Sequence, residues 1–376
     1  VVIPVILIIV IVNIIGTRAN RTRAKQWAST YLPMLDSEYA SVGFDGRKNT
    51  RVSDVKADGL SEVIAGSTEV PENMLKEKSK SEYIAYCTGR QNVAWLDIRI
   101  SLYKRYNPLA WFGEAAMAFF SDSMPAPAER VEATAYCFDG KEKTLLPTAP
   151  ASKDSTYDGF VFAIVHKDKM RALRDERYDI SLTTTKDHAK LPNWATVMSE
   201  SAEVTEAMLT PDLIKAVTDA GEDLEALIIT DQPIDAPKKY DEHPFPQKNT
   251  ANNPPRLDDL IPRKRVHLSM RLNPKPASTS LFAAFLRMPD HLVSTAHFRP
   301  EALRKVRATR DDEARKLRKI DDEEKAEERR VQAEKLKKEE RDRRLGKMNA
   351  EEQKKFLQKE KEAEQRKMSK KRTTRA

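Results

Sequence analysis

Six histidines (His166, His188, His243, His267, His291, His297), two cysteines (Cys87, Cys137) and 58 carboxylates supply the groups from which acid–base, nucleophilic or metal chemistry is built. Their spacing argues against all three. No two histidines fall at the separation that puts two ligands on one helical face, and His291 and His297 stand six apart. The cysteines are far from each other and in no metal-binding pattern. The G-x-S-x-G elbow, the Walker-type loop and G-x-G-x-x-G are all missing. Asp321-Asp322-Glu323-Glu324 is the one dense acidic run, but a straight helix cannot wrap a cation as an EF-hand loop does. Asp231 after an expected strand, and Ser199-Glu200 on an expected helix, can be posed as catalytic carboxylates. Nothing beside them sets up a base, so capping and surface solvation are the plainer roles. Trp95, Trp111 and Trp194 are read as core or interface anchors. The expectation is a protein with no catalytic residue, no cofactor and no metal.

The densest chemistry is cationic. From Glu301 to Ala376 there are 28 Lys/Arg and 19 Asp/Glu, against 66 and 58 in the whole sequence, which leaves 38 basic and 39 acidic residues in the other 300. A near-neutral body therefore carries one cationic terminal segment, which favours a polyanionic partner. Basicity grows from Lys354 to Arg375, where the chain reads Lys-Met-Ser-Lys-Lys-Arg-Thr-Thr-Arg. Arg341, Arg343, Arg344, Lys347, Lys354, Lys355, Arg366, Lys367, Lys370, Lys371 and Arg372 are the candidate phosphate contacts, which give affinity without base specificity. A solvated face with no partner is the blander reading of the same run. Anionic lipid is a rival polyanion, at about 1 kcal/mol per cation near a charged leaflet.

A helix must carry these cations. Residues 301–376 contain no proline, one glycine (Gly346) and mainly Glu, Lys, Arg, Gln, Ala, Leu and Met, all good helix formers. Acid-before-base pairs at i,i+4 recur, among them Asp311/Arg315, Asp312/Lys316 and Glu339/Arg343, each contributing roughly 0.2–0.5 kcal/mol. At about 1.5 Å per residue, ~65 helical residues reach on the order of 100 Å. The apolar positions do not sustain an a/d heptad. Leu303/Val306 and Leu317/Ile320 are expected to pack on the body, and the segment beyond Lys325 to be a solvated, coiled-coil-like tail over 300–376.

At the other end, residues 1–15 carry no charge and are almost entirely aliphatic. That run is a little short of the ~20 residues that cross a bilayer. It is read as a transmembrane helix over 1–16, truncated at its start, with a signal-peptide core as the alternative. The alternative is disfavoured by Arg18, Arg21, Arg23 and Lys25 on the C-terminal flank and by the lack of a small-residue cleavage site. Those cations put everything after Gly16 on the cytosolic side and the N-terminus on the other. Two cysteines in the remaining chain agree with a reduced compartment. Asn20-Arg21-Thr22 matches a glycosylation sequon, which this topology discounts.

Between these ends, residues 17–299 are expected to form an α+β or irregular α/β body. Lys25 to Val42 suggests a helix with Trp27, Tyr31, Leu35 and Tyr39 on one side. Residues 47–80 are polar and read as a loop, as is proline-rich 233–262. Ser81–Cys87 and Val93–Tyr103 read as paired strands, the second with Leu96, Ile98, Ile100 and Leu102 alternating inward. A helix follows at Leu109–Phe120, then strands near Val131–Phe138 and Phe160–Val165 and a helix at Lys167–Arg177. Two more helices are expected over Pro192–Gly221, then strands at Leu224–Thr230 and Val266–Leu272 and a helix from about Ser280 to Leu292. Thr210-Pro211-Asp212 is a helix start.

An ordered set of short motifs resembles the calumin family (coiled-coil domain-containing protein 47), and the chain looks like a fungal member. These are Gln26-Trp27 after an Arg-rich flank, Val42-Gly43-Phe44-Asp45-Gly46, Tyr86-Cys87-Thr88-Gly89-Arg90, Val161-Phe162-Ala163, Met198-Ser199-Glu200 with Glu203-Val204-Thr205, Thr230-Asp231-Gln232, and the terminal charged helix. The resemblance implies an endoplasmic reticulum membrane-protein biogenesis factor, a subunit of the intramembrane chaperone (PAT) complex. Its implied partners are an Asterix-like small membrane protein, the translocon channel, the ribosome through ribosomal RNA, and nascent multi-spanning membrane proteins. The family's acidic luminal segment is not seen here, so calcium binding is not carried over. Residues 139–156 and 233–262 look expanded relative to the family. The expected function is that of a non-enzymatic scaffold and chaperone subunit, single-pass, with its C-terminus cytosolic. A membrane tether gripping anionic lipid is the alternative, and a membrane-bound enzyme is a third class that would need a cluster of acid–base groups in the body.

Overall fold

A computed structural model of the chain describes residues 2–44, 47–48, 73–120, 126–139, 156–235, 261–273, 275–345, 358 and 362. The chain divides into two units, Val1–Asp311 and Asp312–Ala376. The first unit is mixed helix and sheet, as expected. Its strands are β1 (Ser41–Val42), β2 (Arg47–Lys48), β3 (Lys76–Ser79), β4 (Glu82–Thr88), β5 (Val93–Ser101), β6 (Arg130–Cys137), β7 (Phe162–His166), β8 (Thr184–Lys186), β9 (Ala195–Ser199), β10 (Leu224–Thr230) and β11 (Arg265–Arg271). They form one sheet in the order β2-β1-β4-β5-β6-β11-β10-β7-β9-β8, with β3 also on β4. Every described pairing is antiparallel.

Helix α1 (Val2–Glu38) joins the aliphatic run and the Trp27 helix into one continuous element. Ala24, Trp27, Ala28, Tyr31, Leu32 and Leu35 recur at helical spacing and are all buried, with Tyr39 just beyond the helix end. Trp27 stacks on Tyr31 at 4.9 Å, and both meet Phe282 edge-on at 6.1 and 4.9 Å. Among the described residues no helix is long and apolar enough to cross a membrane. The span expected over 1–16 is therefore a proposal, taken up below.

The remaining helices are α2 (Pro108–Phe120), α3 (Lys167–Glu176), the single turn α4 (Tyr178–Ser181), α5 (Ala202–Met208), α6 (Pro211–Ala220), α7 (Pro276–Thr295) and α8 (Pro300–Leu345). The main core joins one sheet face to α1, α6 and α7. A smaller core on the other face of β7, β9 and β10 gathers Val161, Ala163, Val165, Met198, Ala226 and Ile228 under Ile180, with Met170 and Leu173 of α3 against it. Helix α6 begins as its sequence predicts, with Thr210 Oγ1 accepting from Leu213 N–H at 3.2 Å and Pro211 in the first turn.

Three expectations are corrected. Ala195–Ser199 is a strand, not the start of a helix: all five residues are buried, so both faces are covered and the sequence shows no alternation to read. Residues 47–80 are not wholly loop: β2 and β3 lie within them, and β3 is an exposed polar edge strand held by ladder bonds to β4. In the second unit, the close ion pairs run at i,i+3, Arg315 to Asp312 and Lys316 to Glu313, while Asp312 acts on Lys316 at i,i+4 only as a more distant charge. The expected Leu96, Ile98, Ile100 and Leu102 face is buried throughout. Residues 140–155 and 236–260 lie outside the described residues.

Both thiols are free and buried, and burial pushes each up to about 12. His267 lies half-buried on the face of β11 opposite the main core, 2.9 Å from Thr134 Oγ1. Desolvation first, then the cations Arg177, Arg265 and Arg99, hold its pKa down to about 3. A depressed imidazole costs stability as pH falls below about 6.5, because the unfolded chain then takes up a proton that the folded chain refuses. The ring is only half-buried, which limits the effect to about 1–2 kcal/mol between pH 7.5 and 5. Urea unfolding at the two pH values should show His267→Gln losing less stability than the parent by that amount. Equal losses in both chains would rule the imidazole out.

Candidate functional site

The base of α8 and the passage of α1 over the body are two of the places where buried polar side chains bridge elements far apart in sequence. At the first, Arg310 reaches from α8 to two carboxylates. Its Nε and Nη2 donate to Glu200 Oε1 and Oε2 at 2.7 and 2.9 Å, and its Nη1 and Nη2 donate to Asp231 Oδ2 and Oδ1 at 2.9 and 2.8 Å. The Glu200 carboxylate is fully buried and also accepts from Val161 N–H at 2.8 Å. Gly159 leaves room for the other acid, since a Cβ there would stand 2.3 Å from Asp231 Oδ2. Burial pushes Glu200 up, with Arg310 and the Val161 amide pulling against it. Burial also opposes the guanidinium charge, but the bonds to Glu200 and Asp231 outweigh it, and the Arg310 pKa rises.

The segment before β7 completes the joint. Asp158 N–H donates to Ala296 O and its carboxylate accepts from Phe298 N–H at 2.8 Å, which fixes the turn between α7 and α8. Lys264 Nζ donates to Thr156 Oγ1 and Tyr157 O from beneath. Ala302 and Val306 are buried and Leu303 is half-buried, as expected of the start of the charged helix. The side chains of Leu317 and Ile320 lie outside the described ones.

This geometry corrects the reading of Glu200 and Asp231. Neither is a solvated surface group or a cap, and Glu200 follows a strand. Each is engaged in two bonds to one guanidinium, so neither is left to act as a general base. Sequence reasoning missed Arg310 because it is one arginine among many in a charged run. Its signal was weak: among the described residues of α8 it follows the buried Val306 by four, on the same face.

At the second place, α1 crosses the body through a polar pad. Asn20 is fully buried, its amide donating to Lys80 O at 2.8 Å and Tyr103 O at 3.0 Å while its Oδ1 accepts from Arg105 at 3.1 Å. That burial leaves the Asn20 amide inaccessible in the folded body. Arg105 and Arg23 share Glu129, and Arg21 pairs with Glu77. Gly16 is required by close approach, because a Cβ would stand 2.4 Å from the Arg105 carbonyl and 2.5 Å from Tyr106 N. N-terminal to that crossing, Ile3, Leu7, Ile9, Val10, Ile11, Ile14 and Ile15 are exposed. Arg18, Arg21, Arg23 and Lys25 follow, also exposed.

Of the tail candidates, Arg343 is an exposed residue of α8, and Arg341 and Arg344 are on that helix with side chains outside the described ones. Lys347, Lys354, Lys355, Arg366, Lys367, Lys370, Lys371 and Arg372 lie outside the described residues. Trp95 stacks on Tyr136 at 4.6 Å and Trp194 on His166 at 5.5 Å, while Trp111 is exposed. Among the described residues no group of three or more His, Cys, Asp or Glu is placed to hold a metal ion.

The geometry defines a class: an α+β body on one antiparallel sheet, with a helix end of exposed aliphatic side chains and the first turns of a charged helix held by Arg310. The chain belongs to the family described as PAT complex subunit CCDC47, whose model matches residues 1–367. It is 30% identical over 237 residues to UPF0674 endoplasmic reticulum membrane protein C2G5.01 of Schizosaccharomyces pombe, covering 62% of this chain and 57% of that protein. It is 24% identical over 240 residues to PAT complex subunit CCDC47 of Danio rerio, covering 62% and 41%. It is 25% identical over 167 residues to UPF0674 endoplasmic reticulum membrane protein YNR021W of Saccharomyces cerevisiae, covering 43% and 41%. The matches thus span about two fifths to three fifths of these relatives' own lengths.

Proposed function

We propose that this chain is a non-enzymatic membrane-protein biogenesis factor of the endoplasmic reticulum, acting as an intramembrane chaperone subunit beside the ribosome-bound translocon. Membership of the family over residues 1–367 carries the reading, since relatives in that family are named PAT complex subunits and endoplasmic reticulum membrane proteins. The aliphatic start of α1 enters the bilayer as a single span with its N-terminus luminal. Its uncovered side chains support this: seven large aliphatics in water would be costly, and no described part of the protein covers them. The exposed arginines that follow mark the cytosolic flank. The span meets an Asterix-like small membrane protein. The body sits at the cytosolic surface, where nascent multi-spanning proteins leave the channel.

The tail cations then contact ribosomal RNA. Their test is ribosome co-sedimentation from gently solubilised membranes over a salt series, with Arg343, Lys354, Lys355 and Arg366 all changed to Glu. Removing several phosphate contacts should lower the ribosome-bound fraction about tenfold or more at moderate salt and flatten its salt dependence. Sedimentation equal to the parent at every salt would overturn the RNA contact. If the same variant instead stops floating with anionic vesicles, the tether reading takes its place.

A further inference from the structure

Helix α2 is an exposed apolar surface to which the function proposed above gives no role. Over Pro108–Phe120 its one charged side chain, Glu114, pairs with Lys104 just before the helix. No residue of the helix is buried. Leu109, Phe112, Phe119 and Phe120 are 83, 70, 85 and 85% exposed, and Met117 is exposed as well. Ala110, Glu114 and Ala118 are half-buried at four-residue spacing and mark the side turned to the protein. The bulky side chains occupy the rest. A patch this size in water is a liability for a soluble surface and signals an apolar environment.

The level of the helix is set by its neighbours. Gly16 of α1 touches the backbone at Arg105 and Tyr106, two residues before α2 begins. Lys80 Nζ donates to Asn13 Oδ1 at 2.8 Å and lies over the Tyr106 ring. Helix α2 therefore starts beside the point where the aliphatic turns of α1 give way to its polar pad. Tyr103, Tyr106 and Trp111 gather there with Lys80, Lys104 and Arg105, the aromatic-and-cation composition of a headgroup layer. Thirteen residues extend only about 20 Å, short of the ~30 Å of a hydrocarbon core, so α2 cannot itself cross.

We propose that α2 is a second membrane contact: an interfacial helix that lays Leu109, Phe112, Met117, Phe119 and Phe120 into the acyl-chain boundary of the bilayer that takes the start of α1. The inference rests on the single-span reading above. Two contacts at different points of one body fix its tilt on the membrane, which a single helix leaves free to swivel.

The test uses the full chain with Cys87→Ala and Cys137→Ala, carrying Phe119→Cys, Ile9→Cys or Ala172→Cys, each labelled with bimane. The purified chains are reconstituted into phosphatidylcholine vesicles with or without acyl-chain bromine. Bromine should quench the label at 119 about twofold, as at 9, and leave that at 172 unchanged. A label at 119 that follows 172 and is quenched by aqueous iodide, while 9 responds to bromine, overturns the interfacial helix and leaves the span standing. No bromine response at either 9 or 119 removes the span and the inference together. A label at 119 shielded from both quenchers means protein covers the helix, which also overturns it.

Discussion

Replacing Arg310 with Met should lower the unfolding free energy of the body by about 3–5 kcal/mol, because it strands two carboxylates in a site built for a guanidinium. Glu200 is fully buried there and, among the described residues, would keep only the Val161 N–H as partner. The deficit should be greatest near neutral pH. Glu200 already has its pKa raised by burial, and losing Arg310 raises it further. As pH falls through the carboxylate range both states become neutral and the penalty shrinks. The triple change Arg310→Met, Glu200→Gln, Asp231→Asn should recover most of the loss, since removing a whole buried ion cluster costs less than breaking it. Urea unfolding of the three chains decides the matter. A single mutant within about 1 kcal/mol of the parent would mean that the cluster is solvated. The functional consequence is local: with the clamp gone, residues 300–311 lose that polar attachment and rest on apolar packing by Ala302, Leu303 and Val306.

Trp27→Ala should cost a similar 3–5 kcal/mol, as is usual for deleting a buried indole. Trp27 is 1% exposed and holds α1 to α7 through Tyr31 and Phe282. Trp27→Phe is the informative control. The indole Nε1 is buried with no hydrogen-bond partner among the described residues, so phenylalanine gives up volume and no bond. Its cost should stay near 1–2 kcal/mol. Chemical unfolding followed by far-ultraviolet circular dichroism measures both. Equal losses for Ala and Phe would show that the site responds to the indole itself and not to the space it fills. Because α1 also carries the exposed aliphatic turns, this contact, with the polar pad at Asn20, ties the proposed span to the body.

Long periodic elements were legible. The Trp27–Leu35 stripe, the alternation from Leu96 to Leu102 and the Thr210-Pro211 start all reappear because each rests on contacts within a dozen residues. The strand at Ala195–Ser199 and the edge strand Lys76–Ser79 were not legible. The first is buried on both faces, which erases its period, and the second is polar and exists through ladder bonds to β4. Glu200 and Asp231 were noticed but assigned to the surface. Their partner lies 110 and 79 residues further on, and no local pattern announces such a pair.

Charge segregation, the aliphatic start of α1 and the family motifs were determined by sequence alone, because composition and short-range order survive without folding. Tertiary structure decided which of many arginines is a clamp, why Gly16 and Gly159 must lack a side chain, that Asn20 is shut away, and that the aromatic rings of α2 are exposed among the described residues. Each of those facts depends on groups brought together from distant parts of the chain, and distance along the sequence carries no record of it.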